Sequence, residues 1–316
     1  MAQTKEISRR IKSITSTKKI TKAMEMVAAS KMRKAIEAVL KTRTYANLSW
    51  ETVLHLAKLA EVKSEEIHPL LSQRKEVKKA AIILISSNRG LCGAYNSAII
   101  SKAKASIKKY DIPTDFILAG KKGLSLINQG YNIVAEFDKS DLLNDAKDIY
   151  PIIKLAISDY LSGKYDLILV AYTDFVNPVK QIPRVKQLLP LEIETKDEYL
   201  GIVSDNPKIG TTSKMIEEKS EKHLSDKGFY YDFTFEPSPA EVLDLMIPRL
   251  LEIQLYQAFL EANASEYSAQ MTAMHQATDA AGDMVSELTL FYNKARQASI
   301  TAEIAEISAG ANALAE

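Results

Sequence analysis

Over the last quarter of the chain, apolar residues recur at alternating steps of four and three: Met246, Leu250, Ile253, Gln257, Leu260, Ala264, Tyr267, Met271, Met274, Thr278, Ala281, Val285, Leu288, Tyr292, Ala295, Ser299 and Ala302. Only Gln257, Thr278 and Ser299 are polar in that seam, which is coiled-coil periodicity. Ser238-Pro239-Ala240-Glu241 supplies the start: a capping serine, proline at the first helical position and a glutamate placed to close a capping box. From there to Gly310 the breakers are Pro248 and Gly282, and Pro248 is expected to kink the helix near its base. A helix of roughly 70 residues is about 105 Å long, far more than a globular core needs. Its apolar seam therefore requires a partner helix.

The first segment has no proline before Pro69 and no glycine before Gly90, which predicts a helix from about Thr4 to Lys63. Ile7, Ile11 and Ile14 begin its seam, and Ile20, Met24, Val27 and Ala28 are read as continuing it with a shift of register. Ala35, Val39, Ala46, Val53 and Ala60 keep an apolar stripe further on. Because a whole domain separates the two helical segments, residues 1–60 and 240–309 are expected to pair as an antiparallel coiled coil.

Between them the period changes. Ala80-Ala81-Ile82-Ile83-Leu84-Ile85 is a continuous apolar run of buried-strand type. A helix over 96–110, a strand over 116–119, a short helix over 122–128, a strand over 133–137, a helix over 145–161 and a strand over 165–172 follow. Strands alternating with helices predict a parallel sheet covered on both faces. Residues 192–226 read as a polar insertion, and the alternating aromatic and polar residues of 229–235 as the last strand. The fold class is α/β plus a long antiparallel α-helical coiled coil, with a Rossmann-like central domain inserted between the N- and C-terminal helices. The expected segments are 1–68, 69–237 and 238–316.

Composition narrows the class. The 316 residues are 46% hydrophobic, which is globular usage. No run of 18 apolar residues is present to span a membrane, and the polar, basic start is not a secretory signal. The single cysteine, Cys92, excludes an internal disulfide, which fits a reducing compartment. Charge is divided: residues 1–43 hold twelve Lys or Arg against three acids, a net of +9, and residues 240–316 hold three against eleven, a net of −8. The basic helix has no aromatic before Tyr45, so attraction to an acidic protein surface accounts for it better than nucleic-acid binding does.

Candidate chemistry is sparse. Ser86-Ser87-Asn88-Arg89-Gly90-Leu91-Cys92-Gly93 follows the first strand, where doubly wound folds bind phosphates, yet it has neither GxGxxG spacing nor a P-loop lysine. A turn whose glycines permit tight strand-to-helix passage is the competing reading. The four histidines are scattered without metal-ligand spacing, and no catalytic constellation or cofactor site is expected.

Longer stretches carry a resemblance. Ile20-Thr21-Lys22-Ala23-Met24-Glu25-Met26-Val27-Ala28-Ala29-Ser30-Lys31-Met32-Arg33 resembles the N-terminal signature of the F-type ATP synthase γ subunit family. Tyr292-Asn293-Lys294-Ala295-Arg296-Gln297-Ala298-Ser299-Ile300-Thr301, then Glu303-Ile304, resembles its C-terminal signature; Arg89 to Gly93 and Ala277-Thr278-Asp279 match in between. The resemblance covers both helices and the central domain, in order.

It implies the rotor shaft of a proton-transporting ATP synthase, coupling c-ring rotation to ATP synthesis or hydrolysis at the β-subunit catalytic sites with no active site of its own. The partners it implies are three α and three β subunits, the ε subunit and the c-ring, with no nucleic acid. Association with the membrane is peripheral, on the cytoplasmic side of the bacterial inner membrane. Residue by residue, it places Lys22, Met24, Arg296, Gln297, Thr301 and Glu303 against β, and Phe233, Phe235 and Glu236 at the foot near ε and the c-ring. Gln270 stands where some members carry a β-contacting arginine, so that contact is not carried over. Asn88 and Ala94-Tyr95 also depart from the commoner residues of the mid-chain motif.

Overall fold

The computed structural model describes residues 2–62, 68–72, 74, 76–110, 112–139, 146–191 and 239–315. In chain order the elements are α1 (Ala2–Val62), β1 (Ala80–Ile85), α2 (Tyr95–Tyr110), β2 (Thr114–Ala119), a 3-10 helix (Lys121–Gln129), β3 (Ile133–Phe137), a 3-10 turn (Ala146–Ile149), α3 (Tyr150–Leu161), β4 (Leu167–Phe175), β5 (Gln181–Leu189) and α4 (Pro239–Ala315). They form two compact units: residues 30–269, and residues 1–29 with 270–316.

The larger unit is built on one sheet in the order β3-β2-β1-β4-β5. The first four strands run parallel, and β5 runs antiparallel to β4 at the edge. Every residue of β1 is buried because both faces of the sheet are covered. Ala80, Ile82 and Leu84 pack with Ile99 and Ala103 of α2 on one face. Ala81, Ile83 and Ile85 pack on the other with Ile153 and Ala156 of α3 and with Leu250, Leu255 and Phe259 of α4. α3 carries Pro151 in its first turn and buries Ile152, Ile153, Ala156 and Tyr160, one face of a helix. From α1, Met32, Ala35 and Val39 are buried, and the Thr42 hydroxyl donates to Gln257 Oε1 at 2.7 Å.

The structure departs from the sequence reading at identifiable places. The expected all-parallel sheet is mixed, because Gln181–Leu189 adds an antiparallel strand that Pro183 and its irregular alternation concealed. Proline is tolerated there because an edge strand has one side free of ladder bonds. The segment 122–128 is a 3-10 helix of slightly greater length, and α3 begins five residues after the expected start. Pro248 lies inside α4, as expected. The expected strand over 229–235 and the insertion 192–226 lie outside the described residues.

The smaller unit is a helix pair. His275 Nδ1 lies 3.4 Å from Glu25 Oε1, the Thr21 and Thr278 hydroxyls are hydrogen-bonded at 2.8 Å, and Lys18 Nζ sits 2.8 Å from where a Cβ on Gly282 would be. Ascending numbers on one helix meet descending numbers on the other, so the pair is antiparallel. The predicted C-terminal seam is the inward face: Met274, Thr278 and Ala281 are buried and Val285, Leu288, Tyr292 and Ala295 are half-buried. The predicted α1 seam is corrected. Ile20 and Val27 are 58% and 56% exposed, and Ile7, Ile11, Ile14, Lys18, Thr21, Glu25 and Ala28 continue the four-three steps without a shift. Thr21 and Glu25 hold inward positions through polar contacts to Thr278 and His275 across the pair, which an apolarity count overlooks.

Candidate functional site

The natural place to look for a ligand is the C-terminal edge of the parallel strands, at the β1–β4 switch point where the chain reverses its winding. There the polar groups are hydrogen-bonded to one another. Ser86 Oγ donates to the Gly120 carbonyl at 2.9 Å and accepts from the Gly123 N–H at 3.0 Å. Asn96 Oδ1 accepts from the Ser87 N–H at 3.0 Å, and Asn96 Nδ2 donates to Ser87 Oγ at 2.7 Å. Asn88 Nδ2 donates to the Lys139 carbonyl at 2.6 Å. Gly120, with φ of +102°, brings its backbone against Ser86; a Cβ there would lie 2.3 Å from the Ser86 carbonyl oxygen. This close approach is what the glycine is for. Cys92 is buried, and burial pushes its thiol above the ordinary value, which leaves it in the unreactive protonated form.

The same edge is covered by α4. Tyr95 Oη donates to the Ala262 carbonyl at 3.2 Å, and Ser265 Oγ donates to the Thr173 carbonyl at 3.0 Å. Ser268 Oγ donates to the Pro178 carbonyl at 2.6 Å. Lys139 Nζ, its side chain 3% exposed, reaches Glu266 Oε2 at 2.6 Å and lies 5.7 Å from the Tyr95 ring centroid. Burial, and then the Glu266 charge, push the Tyr95 phenol well above its ordinary value, so it stays a hydrogen-bond donor. A helix of the protein itself thus lies where a doubly wound domain holds its ligand.

The other end of the sheet is tied by ions. Asp115 accepts from Lys79 at 2.7 Å, from Tyr165 at 2.8 Å and from Asn132 at 2.9 Å. Asp166 accepts from Arg74 at 3.0 Å and from the Lys78 N–H at 2.9 Å. Burial alone would raise both carboxyls, but these donors outweigh it and hold each below the ordinary aspartate value. Among the described residues, no cluster of His, Cys, Asp or Glu forms a metal site.

The residues singled out in the sequence fall on the helix pair. Lys22 is exposed and donates to Glu25 Oε1 at 2.9 Å; this bond holds the Glu25 carboxyl below its ordinary value. Met24 is half-buried. Arg296, Gln297, Thr301 and Glu303 are exposed, and Ser299 donates to Glu303 at 3.4 Å. Thr278 pairs with Thr21, so the Arg296 group lies 18 residues, or about 27 Å of helix, beyond the Lys22 level. The two groups are separate surfaces on one shaft. Phe233, Phe235 and Glu236 lie outside the described residues. Beside the predicted residues, Met26, Leu290, Phe291, Ile304 and Ile307 are exposed and apolar, which the seam rule could have shown as the off-seam apolar set.

A Rossmann-like unit with its crevice covered by its own helix, joined in sequence to an antiparallel helix pair with apolar and charged surface turned outward, defines a shaft-type subunit. The family model described as ATP synthase matches residues 3–314. Over 318 residues the chain is 39% identical to the ATP synthase gamma chain of Legionella pneumophila (strain Corby), covering 99% of this chain and 100% of that one. The gamma chain of Coxiella burnetii (strain Dugway 5J108-111) is 38% identical over 319 residues, covering 99% and 100%. This chain belongs to the ATP synthase gamma-chain family. A chain of the Euglena gracilis mitochondrial ATP synthase (OSCP/F1/c-ring, rotational state 3) matches with a TM-score of 0.60 at 14% identity, over 99% of this chain and 95% of that one. A chain of the Tetrahymena thermophila mitochondrial ATP synthase central stalk and c-ring matches with 0.56 at 20%, over 82% and 99%. At those identities the two structures bear on the fold.

Proposed function

We propose that this chain is the central rotor shaft of an F-type ATP synthase, coupling proton-driven c-ring rotation to ATP synthesis or hydrolysis at β-subunit sites. It contributes no active site of its own. The observation that carries this is the satisfied turn: the polar groups after β1 are hydrogen-bonded within the unit and α4 is bonded beside them to Tyr95, Thr173 and Pro178, while the helix pair has exposed apolar side chains. Family membership supplies the assembly, with three α and three β subunits around the pair and ε and the c-ring at the foot. Segments 1–68 and 238–316 form the shaft and 69–237 the foot. The chain is peripheral to the membrane, on the cytoplasmic side of a bacterial cell; no described helix is long and apolar enough to cross a bilayer.

Lys22 and Met24 meet an acidic β-subunit surface, and Arg296, Gln297, Thr301 and Glu303 meet β further along the pair. Phe233, Phe235 and Glu236 face ε and the c-ring. The test is co-purification and single-molecule rotation of the assembled complex. One copy of this chain with three each of two nucleotide-binding subunits, rotating during ATP hydrolysis, is the expected result. Tight nucleotide binding by the free chain would instead make the β1 turn a site.

A further inference from the structure

We infer that the polar face of α4 from Ala262 to Ser268 is an anchor that fixes the rotational setting of this helix about its own axis, with Lys139, Tyr95 and Glu266 as its positioning residues. Below this stretch α4 is held chiefly by apolar contacts such as Leu250, Leu255 and Phe259 against the sheet, with two polar contacts, Thr42 to Gln257 and His68 to Asp244, spaced far apart along it. Apolar packing is not directional, so it resists separation better than it resists rolling. The contacts at 262, 265, 266 and 268 are hydrogen bonds with fixed geometry, and they come from separate elements: α2, the segment after β3, β4, and the β4–β5 turn. With 3.6 residues per turn, they spread over about 160° of the helix circumference. Donors and acceptors on both flanks oppose a roll in either sense.

Lys139 is the strongest member. Its ammonium is buried with Glu266 Oε2 at 2.6 Å, and its backbone carbonyl is pinned by Asn88 Nδ2 at 2.6 Å. The turn that a nucleotide-binding domain uses for phosphate thereby positions a lysine for the helix instead. Ser268 is one residue from the end of the larger unit at Ala269, so the anchor lies at the last turn of α4 that the sheet supports. As a device for transmitting torque the anchor rests on the rotor reading; as a fixation of α4 it rests on these contacts alone.

The test is hydrogen exchange on the full chain, comparing the wild type with Lys139→Met/Glu266→Met. Removing both charges avoids leaving either one buried and unpaired, so the sheet is expected to stay folded. Amides over 260–269 are expected to exchange at least about tenfold faster while those of β1 keep their protection. Tyr95→Phe, which removes one neutral bond, is expected to give about threefold over the same stretch. Exchange over 260–269 that stays within about twofold of wild type overturns the anchor, and so does equal loss in β1, which would make the contacts general stability. In the assembled complex the double variant is expected to show wider angular fluctuation of a rotation probe. A wild-type complex that hydrolyses ATP without rotating this chain, alongside local exchange loss in the variant, would uphold the anchor and remove the rotor reading.

Discussion

The two units solve burial differently. In the sheet unit, β1 is closed off on both faces, and its aspartates, serines and asparagines are engaged by neighbours. In the helix pair the buried positions besides Met274 are small or polar, Ala28, Thr278 and Ala281 among them, while Leu290 is 68% exposed and Ile307 73%. The sheet unit completes its core from its own chain. Both units leave apolar side chains uncovered, Val179 and Leu245 in the sheet unit and Leu290 and Ile307 in the pair, but the pair has few large buried ones beside them. The large buried side chains among the described residues therefore lie mainly in the sheet unit.

That contrast can be broken by substitution. Gly120→Ala and Ile83→Ala test the sheet unit most severely. The first drives a Cβ into the Ser86 backbone at a left-handed position, and the second empties a fully buried site. Each is expected to lower stability by about 3–4 kcal/mol in denaturant titration followed by exchange at β1. A change below about 1 kcal/mol in both would mean that the sheet unit is not tightly packed.

Asp166→Asn comes next, at about 2 kcal/mol, because it weakens bonds from Arg74 and two backbone N–H groups. The pH dependence has a definite sign. Asp115 and Asp166 have folded values below the ordinary 3.8, so their stabilisation is complete above that pH and is lost as pH falls through the lower folded values. An acid titration of unfolding should show this loss, and it should be reduced in Asp166→Asn. A sheet unit that grows more stable below pH 3.8 would contradict the assignment.

The helix pair should respond less. Thr278→Val exchanges the hydroxyl's two hydrogen bonds, to Thr21 and to the Met274 carbonyl, for a buried methyl and is expected to destabilise the pair by about 1 kcal/mol in its melting. Arg296→Ala with Gln297→Ala is the smallest effect on folding, within about 0.5 kcal/mol, because both side chains are exposed. The same substitution is expected to lower activity of the assembled complex. Equal loss of folding and activity would erase the distinction between the units.

Much of this organisation was legible locally. The apolar run of β1 and the four-three spacing of α4 fixed their elements because buried strands and paired helices each impose a period on neighbouring residues. Pro239 marked the start of α4 for the same reason. Strand β5 was not legible, since Pro183 is a breaker anywhere but at an edge and edges are assigned only once the sheet exists. Ile20 and Val27 misled because apolarity measures the drive to be buried, not the partner that buries it. Ser265, Glu266 and Ser268 lie off the four-three seam, and nothing nearby in sequence reveals that Thr173, Lys139 and Pro178 meet them.

The sequence by itself determined most of the elements, the long helical seam of α4, the charge division between the chain's ends and, through long motif runs, the family. Tertiary structure decided which face of α1 turns inward, which strand closes the sheet, and that the crevice after β1 receives a helix. The division follows from range. Periodicity and capping act within a few residues, whereas a hydrogen bond between Tyr95 and Ala262 spans 167 positions and exists only after the chain has folded.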